Sequence, residues 1–249
     1  MPPLRPDAVA AVPRVAAIVV AAGRGRRFGG GDNKVLYPLA GVPVWQHAVA
    51  ALRQCQYVDE TVVVVRPDDR PVMASAAAEM NVELVDGGTE RFDSVRIGLA
   101  AIGRLDRESG LPADRRWVAI HDAARPLVPA ADINAVVSQA FDCNAAILAM
   151  PIRGTVKRRT SDGEITTVDR TELWEALTPQ VFRFDILDAA YRRWRGRPVT
   201  DDAEMVERSG IAVALVAGSA ENLKITQAED LAVAEAIFCR RQAAGNGSL

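Results

Sequence analysis

The stretch "AIVVAAGRGRRFGGGDNKVLYPLAG", residues 17–41, sets an apolar run against a loop that holds Arg24, Arg26, Arg27 and Lys34 among glycines. Four cations on one loop repel one another unless an anion joins them. Glycines let a backbone close around a polyphosphate and present its N–H groups as donors. The other reading is a solvated surface loop. Two familiar phosphate loops do not fit. A dinucleotide fingerprint needs glycine where Phe28 stands and an acid about 20 residues further on. A P-loop needs glycine before Lys34 and Ser or Thr after it; here they are Asn33 and Val35.

Three further motifs carry residues suited to the same chemistry. In "HDAARP" (121–126), Asp122 stands where a strand should end, placed to hold Mg²⁺ or a sugar hydroxyl, with a helix cap or a salt bridge to Arg125 as the alternative. In "DGGTERFDSV" (86–95), Arg91 and Ser94 open a helix whose start suits an anion or a base edge. In "ENLKIT" (221–226), Lys224 falls on an expected short strand. Lysine is scarce: of 30 basic residues only Lys34, Lys157 and Lys224 are lysines. A bias toward arginine explains the ratio. Under such a bias lysine persists mainly where a compact point charge is needed and the wide guanidinium fork does not serve. No Ser-His-Asp or Cys-His arrangement is visible, so a covalent nucleophile is not indicated. His47 and His121 read as structural.

The elements that must position these residues alternate. Strand-like runs at 14–21, 60–66, 82–85, 116–122, 145–152 and 211–218 are separated by helix-like spacing at 42–55, 68–80, 92–102, 129–143, 182–194 and 227–241. Continuous β-branched runs between helices predict one doubly wound, Rossmann-like α/β domain over 15–242. Its sheet should be mainly parallel, with ligands beyond the carboxyl ends of the strands. The alternation breaks at 153–172, a polar, β-branched segment with Asp162-Gly163 as a turn signal. It predicts a protruding β-hairpin arm that needs another surface, such as a second subunit. Residues 1–14 are predicted to be a disordered extension and 243–249 a frayed tail.

The chain has 249 residues, 49% hydrophobic and 25% charged, with a net charge of −2, which gives no general affinity for nucleic acid. The apolar run at 15–22 is too short to span a bilayer, and Arg14 before it argues against a signal peptide. Cys55, Cys143 and Cys239 form no CxxC pair and read as buried thiols in a reducing, cytoplasmic setting.

In order along the chain, "AAGRGRRF", "NKVLYPLAGVPV", "DGGTERFDSV", "HDAARP", "TVDR", "ALTPQVF", "TDDAEMVE" and "ENLKIT" resemble the 2-C-methyl-D-erythritol 4-phosphate cytidylyltransferases, from about residue 15 to 240. The resemblance implies a nucleotide-diphospho-sugar transferase type of fold. It implies transfer of CMP from CTP to methylerythritol phosphate in the non-mevalonate isoprenoid pathway, with Mg²⁺, in a homodimer whose arms reach into each other's sites. It places Ala21, Ala22, Gly23, Gly25 and Arg26 around the triphosphate. Arg27, Lys34 and Lys224 become catalytic cations, and Gly88, Arg91 and Ser94 ligands of the cytidine. Asp122, Ala123 and Arg125 fall to ribose, metal or substrate. Thr155 and the catalytic Arg170 take the acceptor's phosphate across the dimer, with Thr178 and Thr200 also on the substrates. Members commonly carry proline before the loop lysine and in the first strand, where Asn33 and Val20 stand here. A fused cyclodiphosphate synthase, present in some relatives, is not expected. The competing readings are a ribitol 5-phosphate cytidylyltransferase, a nicotinamide-dependent dehydrogenase, disfavoured by the failed fingerprint, and a non-catalytic nucleotide sensor.

Overall fold

A computed structural model describes residues 13–23, 28, 33–110, 116–196 and 199–246; the side chains of 245 and 246 are not described. The first strand, β1 (Arg14–Val20), is followed by a 3-10 turn (Lys34–Leu36), a small ladder of β2 (Pro38–Leu39) with β3 (Val42–Pro43), and α1 (Val44–Leu52). Next come β4 (Val58–Val65), α2 (Arg70–Glu79), β5 (Glu83–Asp86), α3 (Arg91–Ser109), β6 (Arg116–Asp122), α4 (Ala130–Cys143) and β7 (Ala145–Pro151). The chain then runs through β8 (Val156–Arg159), β9 (Ile165–Val168), β10 (Trp174–Arg183), α5 (Phe184–Arg193), α6 (Ala203–Glu207), β11 (Ala214–Ala217) and α7 (Ala228–Asn246).

Seven strands form one sheet in the order β11-β7-β10-β6-β1-β4-β5. β1 pairs in parallel with both β4 and β6, β4 with β5, and β11 with β7. Helices cover both faces, so the middle strands lose both sides to the core. Val62, Val63, Val64 and Val65 of β4 are all fully buried, as the unbroken apolar run requires. One core layer joins β1 and β4 to α1, α2 and α4. The other joins them to α3, α5 and α6. Gly98 lets α3 lie close on β1, since a Cβ there would stand 2.6 Å from Ile18 Cγ2. A third, smaller cluster gathers Phe28, Leu39, Val44, Leu127, Ile225 and Ala234 at the rim.

The predicted doubly wound fold is present, with two corrections. β10 was not expected, and it runs antiparallel between β6 and β7 in the middle of the sheet. The segment carrying Lys224 is irregular rather than a strand; its one ladder-like bond is Ile225 N–H to the carbonyl of Ala124, 2.8 Å. The thiols also differ from the expectation: Cys55 is buried, Cys143 is partly covered and Cys239 is exposed on α7.

The arm forms as predicted, β8 and β9 pairing antiparallel around Gly163, whose φ of +93° suits glycine. Its residues are almost all exposed, Ile165 at 66%.

Candidate active site

Strand order reverses at β1. The chain proceeds from β1 to β4 and β5 on one side and returns to β6 on the other. Loops leaving β1 and β6 therefore diverge, and a crevice opens at their carboxyl ends. A cleft of about 480 Å³ lies there. Ala21, Ala22 and Gly23 after β1 line it, together with Asn33 and Lys34. Gly88, Thr89, Glu90, Arg91 and Ser94 around the start of α3, and Asp122, Lys224 and Thr226, line it as well.

The first turn of α3 is built to face a ligand. Glu90 and Asp93 cap each other's backbone N–H groups in a capping box. Ser94 Oγ donates to the Glu90 carbonyl at 3.2 Å and accepts from Gly88 N–H at 3.3 Å. A Cβ on Gly88 would stand 2.2 Å from Asp93 Cβ, so only glycine lets the backbone pass here. The dipole of a 19-residue helix favours an anion at this end.

Asp122 is the electrostatic centre. Its Oδ2 lies 2.7 Å from Lys224 Nζ and 3.8 Å from Arg125 Nε, and its Oδ1 3.5 Å from Arg91 Nε. Burial opposes its charge, but the facing cations, Arg91 first and then Lys224, outweigh that and hold its carboxyl well below the usual range. Arg91 turns its other edge to Asp202, Nη2 to Oδ2 at 2.7 Å. Burial alone would weaken the Arg91 cation. The two carboxylates raise its pKa instead, Asp202 more than Asp122.

Lys34 enters on a short turn held by Asn33. The Asn33 amide, 1% exposed, donates to the Ala21 carbonyl and to Asp69 Oδ2, both at 2.8 Å, and its Oδ1 accepts from Val35 N–H at 3.4 Å. The residue that departs from the family's common proline thus ties the turn to β1 and to the loop after β4. Asp230 sits near Lys34. Its carboxyl is held low against the effect of burial by hydrogen bonds from Thr226 and Gln227, with a contribution from the charge of Lys34.

Of the predicted residues, Ala21, Ala22, Gly23, Lys34, Gly88, Arg91, Ser94, Asp122 and Lys224 meet in this cleft. Arg27, Arg26 and Gly25 lie outside the described residues. Ala123, Arg125 and Thr178 lie behind the wall. Ala123 is fully buried. Arg125 Nη1 is spent on the Asn222 carbonyl at 2.7 Å, fixing the loop that presents Lys224. Thr178 Oγ1 accepts from Asp122 N–H at 3.1 Å and lies 2.9 Å from His121 Nδ1. These three shape the site from within. Thr200 is exposed beside α6, its N–H 3.4 Å from Glu204 Oε2. Thr155 and Arg170 are exposed on the arm, where an Arg170 N–H donates to the Arg153 carbonyl, and neither lines the cleft of its own chain. Sequence reasoning missed Asn33 as a tether, Thr226, and the fully buried Asp202. The only sequence signal for Asp202 was its place in "TDDAEMVE".

A mostly parallel sheet, a crevice at its switch point, and a helix N-terminus that shares this crevice with two lysines are features of an α/β protein that handles nucleotide phosphates. Comparison with known proteins narrows this. Residues 15–240 match the family described as 2-C-methyl-D-erythritol 4-phosphate cytidylyltransferase. A protein of that name from Rhodopirellula baltica is 45% identical over 92% of this chain and 97% of its own length. Another from Pelotomaculum thermopropionicum is 43% identical over 92% and 96%. A crystal structure of a 4-diphosphocytidyl-2C-methyl-D-erythritol synthase superposes with a TM-score of 0.76 at 32% identity, covering 91% of this chain and 99% of its own. The chain belongs to the 2-C-methyl-D-erythritol 4-phosphate cytidylyltransferase family.

Proposed function

We propose that this chain transfers the cytidylyl group of CTP to 2-C-methyl-D-erythritol 4-phosphate, giving 4-diphosphocytidyl-2-C-methyl-D-erythritol and pyrophosphate, a step of isoprenoid synthesis. The observation that carries the reading is the convergence of Lys34, Arg91 and Lys224 with the α3 N-terminus on one cleft, in a chain whose relatives are named for this reaction.

The chemistry asks little of the protein in proton transfer. The acceptor's phosphate is already an oxyanion near neutral pH. One of its oxygens bonds to the α-phosphorus of CTP while the bond to the β-phosphate oxygen breaks, and pyrophosphate leaves with that electron pair. The obstacle is the approach of two anions. Ala21, Ala22, Gly23, Gly25 and Arg26 would cradle the triphosphate. Gly88, Arg91 and Ser94 would receive the cytidine. Arg27, Lys34 and Lys224 would neutralise charge that grows on the α-phosphate and the leaving group. Thr155 and Arg170 of a second copy would hold the acceptor's phosphate, which would give the exposed arm its surface and make the protein a homodimer.

Among the described residues no three His, Cys, Asp or Glu side chains gather as an all-protein metal cage. Mg²⁺ does not need one, because it is commonly held by one or two carboxylates together with substrate phosphates. Two described carboxylates line the cleft; Glu90 is committed to the α3 capping box, and Asp122 fits that mode. Bound there, Mg²⁺ would supply further neutralisation of the polyphosphate. Among the described residues no helix is long and apolar enough to cross a membrane. With a net charge of −2, the reading is of a cytoplasmic enzyme that binds neither membrane nor nucleic acid.

The test is pyrophosphate release with CTP and Mg²⁺, offering methylerythritol phosphate and ribitol 5-phosphate in parallel. Release that depends on methylerythritol phosphate supports the assignment. Release only with ribitol 5-phosphate transfers it to the other polyol.

A further inference from the structure

Asp202 is a fully buried carboxylate that no step of the transfer uses. It sits just before α6, where the Gln180 Oε1 accepts from its own N–H at 3.0 Å and from Ala203 N–H at 3.2 Å. That pair of bonds from the central strand β10 fixes its backbone. Both carboxylate oxygens are engaged. Oδ1 accepts from Tyr191 O–H at 2.5 Å, and Oδ2 from Arg91 Nη2 at 2.7 Å. Tyr191 is itself fixed, 2% exposed and stacked on Phe92 with ring centroids 4.9 Å apart. A buried, unpaired carboxylate is strongly unfavourable, so this one persists because both partners are in place.

We propose that Asp202, backed by Tyr191, is a positioning residue that sets the guanidinium of Arg91 at the nucleotide end of the cleft. Arg91 is the only described cation that touches both Asp202 and Asp122. Its long side chain has several rotamers open to it, and the Asp202 contact selects one. Asp202, Arg91, Asp122 and Lys224 then form a row of alternating charge running from beneath the sheet into the cleft. The Asp202 end of the row is fully buried, and the Lys224 end, 40% exposed, lines the cleft. Without the anchor, Arg91 is free to swing fully onto Asp122 or away from the cleft. Either change spoils the nucleotide wall while leaving the acceptor's end untouched. This rests on the cytidylyl-transfer reading for the identity of the nucleotide.

The experiment is calorimetric titration of the 249-residue chain with CTP, with no acceptor present, beside steady-state kinetics and melting curves. Asp202→Asn keeps the shape and removes the charge, and Tyr191→Phe removes only the supporting hydroxyl. The expected result is a CTP Kd raised about tenfold in Asp202→Asn and about threefold in Tyr191→Phe, with the acceptor KM within twofold of the parent. In an Arg91→Ala background, Asp202→Asn should change the CTP Kd by less than twofold, because the group it positions is gone. A purely structural carboxylate would give the same loss in both backgrounds. That outcome, or parent-like CTP affinity in both single variants, overturns the proposal. If Asp202→Asn fails to fold, Tyr191→Phe with and without Arg91→Ala decides in the same way. A parent protein that gives no CTP binding heat but binds another nucleotide triphosphate would instead overturn the choice of nucleotide, and the cycle would be repeated with that triphosphate.

Discussion

Lys34 and Lys224 reach the cleft from opposite ends of the chain, and each has a partner that fixes where its charge sits. For Lys34 that partner is the Asn33 turn. Lys34→Ala should lower kcat by about 10²–10³, the usual effect of deleting one charge-stabilising donor, while CTP affinity falls far less. Lys34→Arg should also be poor, since a planar fork does not fill a point-charge site. Parent-like turnover in either variant would remove Lys34 from the mechanism. Asn33 gives a sharper result. Its φ of −77° is one that proline adopts, so Asn33→Pro keeps the turn's backbone but loses both tethers, and should melt lower than the parent while keeping more turnover than Asn33→Asp. Asn33→Asp turns two donors into acceptors facing the Ala21 carbonyl and Asp69, and should cost about 2–4 kcal/mol of stability and most of the activity. Melting curves and kcat on the pair check this; parent-like stability in both variants would mean the tethers are idle. Asp122→Asn leaves Arg91 and Lys224 without their shared carboxylate. Its turnover should fall at least about 100-fold, and titration with excess Mg²⁺ should recover little. Normal metal dependence with near-normal turnover would return Asp122 to a structural role.

At the scale of elements, the parts legible in the sequence were those whose pattern and packing agree. β6 runs from Arg116 to Asp122, the span its apolar run predicts, and so places Asp122 at a strand end. β10 was hidden because Pro179 lies inside it and Glu175, Thr178 and Gln180 interrupt its apolar residues. Proline usually excludes a central strand, and this strand accommodates it by breaking register with β7 between Ala176 and Gln180. Because β10 was missed, so was its Gln180, and with it the reason why one acid of the pair Asp201 and Asp202 turns inward. The Lys224 segment looked β-branched enough for a strand, but its neighbours are the Arg125–Asn222 contact and the rim cluster, not a ladder. The arm was legible from its polarity and its Asp-Gly turn. Its role is tested by Arg170→Ala, which should raise the KM for the polyol phosphate more than that for CTP. Mixing Lys34→Ala with Arg170→Ala subunits, with exchange confirmed by mass, should restore part of the activity, since one mixed site receives both intact residues. No recovery after proven exchange would mean that each arm serves its own chain.

For the whole molecule, the buried site sets the response to acid. His121 is fully buried between the Arg125 carbonyl and Thr178, and burial pushes its pKa down to about 4. In the unfolded chain it titrates near 6.5, so between these values the unfolded state binds more protons and stability rises with pH. The contribution is complete above about pH 6.5 and is lost as the pH falls toward 4, on the order of 3 kcal/mol in all. Asp122 acts in the same direction at lower pH: its folded pKa is depressed, so its contribution is present above the ordinary carboxylate range and disappears below it. Denaturant unfolding from pH 7 to 4 should show this slope, and His121→Asn should flatten it. An unchanged slope in that variant would place the acid sensitivity elsewhere.

The reaction turns on attack of the acceptor's phosphate on the α-phosphorus of CTP. That attack is tested most directly by ³¹P NMR of a reaction in which methylerythritol phosphate carries ¹⁸O in its phosphate group. The expected product is a new diphosphate diester that retains all of the ¹⁸O, one atom of it in the bridge, with unlabelled pyrophosphate released in equal amount. Label in pyrophosphate or in free phosphate, or loss of CTP without a bridged product, would contradict it.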